Sequence, residues 1–397
     1  MSIEMQKFQG GGGARARAAI VAVVGLVVGI AGLFVDHKAA LFGYLVAFAY
    51  WAGIAFTSLI ALMIFHCFRA KWMTVLRRPL EAMATTVPWF LLLAIPILVW
   101  MKDVYSWVEP QANGYNAHEI GILQHKAAYL NTTGFIIRTV VYFVIGGLLA
   151  WRFFRLSTQQ DTSGDPALTQ KARNLSLGGL PFLALLFTFA SFDWLMSLNP
   201  LWFSTIFGVY YFAGAYWSVM AILIIVCTRA RGKDLFGDFV NPEHMQNLGK
   251  LLLAFTAFWA YIAFSQLMLI WIANLPEEVP FFIVRFKGPW AWAGIALILF
   301  HFVVPFFTLL SRDIKRRPAR LSLVAGGVLL VNLLDVYWLV MPTYDPEHLP
   351  FNIWMVFAWI GMGGFFAFFA LSKIRGHYTM PVKDPFLDVS LRYRQPT

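Results

Sequence analysis

Three ionisable residues stand inside stretches that are otherwise apolar. Asp193 lies in SFDWLMSLNPLWFST (Ser191–Thr205), within an apolar run that opens near Leu175, and Pro200 follows seven residues later. Asp335, in LLDVYWLVMP, also precedes a proline, Pro342, by seven residues. His301 sits near the middle of LILFHFVVPFF. Roughly 20 apolar residues on each side of the Asp193 stretch match the hydrocarbon thickness of a bilayer. A carboxylate at that depth costs about 2.5–3.5 kcal/mol on insertion scales, so it normally faces a partner or a wet cavity. Proton acceptance or relay is the chemistry such groups suit. Hydrogen-bonded carboxylates that only hold helices together are the competing reading.

Further polar groups are few. His66 stands beside Arg69 at the end of one apolar run, and Glu81 at the foot of the next. These two join Asp193, Asp335 and His301 as proton-relay candidates. FWAYIAFSQLMLIW carries Tyr261, Ser265 and Gln266, and Asn332 lies three residues before Asp335, on the same helical face. These four are the polar or quinone-binding candidates. Asp335, Asn332, Gln266 and His301 are expected to be neighbours.

No cofactor is expected on the chain's own side chains. The two cysteines, Cys67 and Cys227, cannot hold an iron–sulfur cluster, and no C-x-x-C-H exists for covalent haem. His66 and His301 fall at different depths, whereas one haem needs both axial ligands at a common level. The loop residues His118, Glu119 and His125 lack a further ligand at firm spacing, so no metal site is assigned. An electron carrier would have to be quinone, non-covalent haem or a partner's cofactor.

The elements that must position these groups are membrane spans. Charged residues make up only 13% of the 397, against about 25% in soluble domains, and mean hydropathy is +0.66. Apolar runs fall at about 18–35, 41–68, 80–101, 135–154, 175–198, 203–228, 250–274, 289–311, 320–341 and 351–373. The net charge of +11 is no nucleic-acid signal, because no soluble basic domain carries it. All but six of the 31 Lys and Arg sit in the termini and alternate loops; the six are Lys38, Lys102, Lys126, Arg138, Arg285 and Lys287. That bias predicts both termini in the cytoplasm.

The spans repeat. The second carries W-A-G at Trp51–Gly53 and the sixth F-A-G at Phe212–Gly214; the third and seventh end in LVW at Trp100 and LIW at Trp271. The fifth and ninth share the Asp-to-Pro spacing. The fold class read from this is an all-α polytopic membrane protein of ten transmembrane helices, with two four-helix bundles (helices 2–5 and 6–9) and flanking helices 1 and 10. The divisions are a tail over 1–17, a membrane domain over 18–373 (first bundle 41–198, second 203–341) and a C-terminal tail over 374–397. Corresponding helices run the same way, so the pseudo-axis should lie along the membrane normal.

SFDWLMSLNPLWFSTIFGVYYFAG, FWAYIAFSQLMLIWIANLPEE and the loop segment HKAAYLN resemble the NrfD-like (polysulfide-reductase-type) membrane subunits, most closely the shorter such subunit of bacterial alternative complex III. The resemblance covers nearly the whole chain. It implies a bacterial cytoplasmic-membrane complex that oxidises quinol and passes electrons to cytochrome c or a similar acceptor. It also implies partners: a homologous NrfD-like subunit, an iron–sulfur subunit, c-type cytochrome subunits that carry haem c, and a haem–copper oxidase as a further candidate. The chain itself would then scaffold and conduct protons. Direct quinol binding is the first alternative. A secondary transporter is the second, raised by the repeat and the midplane polar groups, but no pair of Gly/Pro-broken helices with clustered charge supports it.

Overall fold

Hydrocarbon offers no water to backbone N–H and C=O groups, so a crossing segment has to close its hydrogen bonds internally. The computed structural model does so with helices; it describes residues 7–230 and 239–394, and no strand occurs among them. Ten helices among the described residues are long and apolar enough to cross a membrane. They are α1 (Gly12–Phe34), α2 (His37–Cys67), α3 (Lys71–Val99), α4 (Thr132–Ser163), α5 (Pro166–Leu198), α6 (Phe207–Ala230), α7 (Pro242–Ala273), α8 (Gly288–Leu310), α9 (Pro318–Thr343) and α10 (Ile353–Ile374). Helices α2–α5 pack as one bundle and α6–α9 as the other, while α1 lies along α10 beside the first.

The most enclosed helices are α2 and α6, the leading members of the two bundles, and they pack on each other. The Tyr211 hydroxyl donates to the Ala49 carbonyl across this contact. Gly53 makes room for it, because a Cβ there would lie 2.6 Å from the Tyr211 oxygen. Gly214, its counterpart in the repeat, serves the second bundle: a Cβ there would meet Asn332 Oδ1 at 2.5 Å. The matched glycines are thus both packing requirements.

Close approach also joins α1 to α10. Gly25 and Gly29 form a G-x-x-x-G stripe against Gly361 and Ala358, and a Cβ on Gly25 would fall 2.5 Å from Gly361 Cα. In lipid, where apolar burial drives no helix association, such backbone proximity supplies the van der Waals contact.

Several helices extend beyond the apolar runs. α1 begins at Gly12 rather than Ala18, α4 continues to Ser163, and α5 starts at Pro166 rather than near Leu175. Hydropathy marks the hydrocarbon slab, whereas caps mark the helix. Gly164, at φ 68°, ends α4, and the Asp165 side chain accepts from Ala167 N–H to open α5, with Pro166 in its first turn. The segment expected as a C-terminal tail is docked as far as it is described. Asp384 Oδ2 accepts from Arg77 Nη2 at 2.7 Å, Val382 N–H donates to Asp161 Oδ1 at 3.1 Å, and Ser390 donates to the Trp72 carbonyl at 2.7 Å. Phe8 exchanges two backbone bonds of 2.9 Å with His377 and Gly376, so both described chain ends lie on one face.

Candidate functional site

The two buried aspartates have different surroundings. Asp193, near the end of α5, is an ion pair. Arg138 of α4 donates through Nε to Oδ2 at 2.9 Å and through Nη2 to Oδ1 at 2.8 Å, and the Tyr142 hydroxyl adds a bond of 2.6 Å. Arg138 is itself fixed by the Tyr129 carbonyl at 2.9 Å and by the Tyr129 ring, 4.0 Å below the guanidinium. A bidentate, charge-assisted pair of this kind is strong and rigid.

Asp335 has no basic side chain bonded to it among the described residues. Its carboxyl accepts from the Tyr210 hydroxyl of α6 and from Trp259 Nε1 of α7, the latter at 3.0 Å. His301 Nε2 of α8 stands 3.9 Å from Oδ2, too far for a hydrogen bond and close enough for charge to be felt. The imidazole lies between two indole faces, Trp217 at 4.0 Å and Trp259 at 3.7 Å between ring centroids, tilted by 17° and 15°. Neither ring nitrogen of His301 has a hydrogen-bond partner among the described residues.

Local sequence explains this placement. Residues Ile298–Val303 form a π-helical turn within α8. Pro305 lacks the N–H that would bond the carbonyl four residues back, and its ring crowds that carbonyl, which belongs to His301. The widened turn carries His301 inward among residues that otherwise face outward, and such turns are frequent at functional sites. Trp259 then ties the two groups together, stacking on His301 while its N–H holds Asp335.

Arg285, on the short helix Val279–Arg285 before α8, is fully buried above this cluster. Its guanidinium donates to the carbonyls of Trp338, Phe281 and Leu339 at 3.2, 2.8 and 2.7 Å and stacks on the Phe281 ring at 3.6 Å. Burial pulls its pKa down to about 9, and the nearby Tyr210 hydroxyl opposes that fall. Asp193 thus meets its arginine directly, while Asp335 meets a tyrosine that stands within electrostatic reach of one.

The remaining candidates separate. Asn332 is buried beside Asp335, against Gly214. Gln266 lies instead on the wall of a cavity of about 520 Å³ between α7 and α8, together with Tyr210, Trp259 and Trp338. Tyr261 is 66% exposed at the rim of that cavity, and the Ser265 hydroxyl donates to the Ile262 carbonyl at 3.1 Å within its own helix. His66 stacks on Phe153 at the other end of the molecule. Glu81 is buried there between Arg77 (3.2 Å) and Arg78 (3.4 Å), and Arg78 also pairs with Asp161 at 2.6 Å. In the connection between α3 and α4, Glu119 closes a capping box with Asn116.

Residue-by-residue reading missed Arg138, Tyr142, Tyr210, Trp217, Trp259 and Arg285. Arg138 carried a usable signal, as an arginine in the apolar run GFIIRTVVYF. The aromatic residues carried none, since the chain holds 16 tryptophans and 14 tyrosines with nothing to single these out. The chain matches no protein-family model and no curated protein.

Proposed function

We propose that the chain is a membrane subunit of a bacterial respiratory quinol:acceptor oxidoreductase, in the cytoplasmic membrane with both termini inside, and that its own chemistry is proton transfer at Asp335. Electrons pass through partner subunits that carry iron–sulfur clusters and haem c. The observation that carries the reading is the contrast between the acids. Asp193 is held by a guanidinium that would have to be displaced before it could take a proton. Asp335 is held by two neutral donors, with an unbonded imidazole 3.9 Å away.

The steps this geometry allows are short. A proton delivered to the Asp335 carboxylate is held against Tyr210 and Trp259. A small movement of His301 along the channel between its two indoles brings Nε2 within bonding distance. The indole faces and the carboxylate together are what an imidazolium needs for company in a dry site. At His301 the proton has passed from α9 to α8, onto a group 3.9 Å from the carboxylate it left.

Asp335→Asn keeps the size and the acceptor for Tyr210 and removes the exchangeable proton. In the purified complex reconstituted in vesicles, quinol oxidation coupled to proton release should fall while subunit content is retained. Normal proton movement in that variant would defeat the proposal, and a chain that purifies alone as an active carrier would defeat the oxidoreductase assignment.

One observation favours a second reading, direct quinol binding. The cavity between α7 and α8 is apolar and aromatic; Gln266 and Trp338 line it, and the Trp338 N–H is buried without a hydrogen-bond partner among the described residues. Tyr210 closes its inner wall, so a quinol hydroxyl there would lie next to the Asp335 pair. Loss of quinone from the purified complex on Trp338→Phe would support this reading over a pure proton conductor.

A further inference from the structure

On the face that carries both described chain ends, α2 stops and α5 begins around a pocket of about 200 Å³. Arg69, Arg173, Gln170 and Thr74 line it, and Phe386 of the docked C-terminal segment closes one side. Arg77 also reaches the pocket, but its charge is spent on Glu81 and Asp384. The other two guanidiniums are not spent. Arg69 Nη2 donates only to Gln170 Oε1 at 3.2 Å, and no carboxylate among the described residues pairs with Arg69 or Arg173. Arg173 Nε is buried with no hydrogen-bond partner among the described residues.

The backbone points the same way. Ala70 N–H returns to the Phe65 carbonyl and Arg69 N–H to the His66 carbonyl, a Schellman ending of α2 with Arg69 at φ 49°. That left-handed position normally takes glycine, because a Cβ there crowds the following carbonyl oxygen. An arginine in such a position, beside a second arginine whose Nε–H is unsatisfied among the described residues, makes a cradle of donors and positive charge that no described carboxylate neutralises.

We propose that this pocket binds the phosphodiester headgroup of an anionic membrane lipid. The pocket's donors match phosphate oxygens, which guanidinium groups bind through paired N–H bonds. A zwitterionic headgroup fits less well, because the nearby carboxylates, Glu81, Asp161 and Asp384, are already paired with arginine and leave none for its ammonium. The lipid source, rather than free phosphate, follows from position. The pocket lies where two spanning helices end, and the adjacent Phe68 is 78% exposed, a surface for the acyl chain. Basic pockets between helix ends are where anionic headgroups dock.

The test uses the full-length chain, with whatever subunits remain bound, purified in detergent and stripped of lipid. Phosphatidylglycerol in mixed micelles should raise the Tm, while phosphatidylcholine and inorganic phosphate should leave it unchanged. In Arg69→Gln/Arg173→Gln the phosphatidylglycerol needed for the half-maximal shift should rise at least tenfold, and Arg152→Gln, on the same face, should respond like the wild type. Should the double variant fail to fold, Arg69→Gln alone, on an exposed side chain, should show the same loss in smaller measure. An unchanged midpoint in the arginine variants, or an equal response to phosphatidylcholine, overturns the proposal. A response to inorganic phosphate equal to that of the lipid overturns its lipid source.

Discussion

Arg138 grips Asp193 through both carboxylate oxygens, at 2.9 and 2.8 Å, joining α4 to α5 within the membrane domain. Asp335, its counterpart in the repeat, has no such partner. The first prediction follows from that difference. Asp193→Asn leaves the guanidinium without its counter-charge; breaking a fully buried pair costs about 3–5 kcal/mol, and Arg138, whose side chain is 22% exposed, puts the loss at or below the lower end of that range. We expect Asp193→Asn to lower the Tm and the yield of the purified chain, and Asp335→Asn to leave both near wild type. Equal yields and equal Tm for the two variants would contradict the distinction.

His301 and Asp335 share Trp259, so their effects should not add. Under the proposed function, His301→Gln and Asp335→Asn should each slow proton release coupled to quinol oxidation, and the double variant should be no slower than the worse single one. Residues in contact or in one network couple by about 0.5–3 kcal/mol, which is ample to detect in a double-mutant cycle. Additive losses would place the two groups on separate paths.

Gly25 faces Gly361 so closely that a methyl group has no space. Overpacking of this kind costs about 1–3 kcal/mol. Gly25→Ala should therefore loosen α1 from α10, seen as faster amide exchange over Gly12–Phe34. Gly13→Ala, where a Cβ would meet nothing within 4 Å, is the control and should exchange at the wild-type rate.

The docked C-terminal segment should respond to pH through His377. Burial lowers the pKa of its imidazole, and the cations Arg78, Lys373 and Lys7 lower it further from the usual 6.5. A base whose folded pKa is depressed contributes full stability above its unfolded pKa and loses it as pH falls toward the folded value. Limited proteolysis after His377 should therefore quicken as pH drops below about 6.5. His377→Gln should flatten that dependence, and an identical pH profile in the variant would remove His377 from the account.

Much of the architecture was already written in the chain. The ten apolar runs report on solvation, which acts residue by residue and so leaves a one-dimensional trace. For the same reason His301, Asp193 and Asp335 stood out singly. The trace ended at the helix tips, where Asp165, Gly164 and Asn241 set the limits by capping and hydropathy is silent. It also could not say that the two aspartates differ. Which side chain meets a buried carboxyl depends on the rotation and depth of a different helix: Arg138 from 55 positions away for Asp193, Tyr210 from 125 for Asp335. Those angles are fixed by close packing, at Gly214 against Asn332 and at the π turn that Pro305 imposes on His301, and packing exists only once the helices have met.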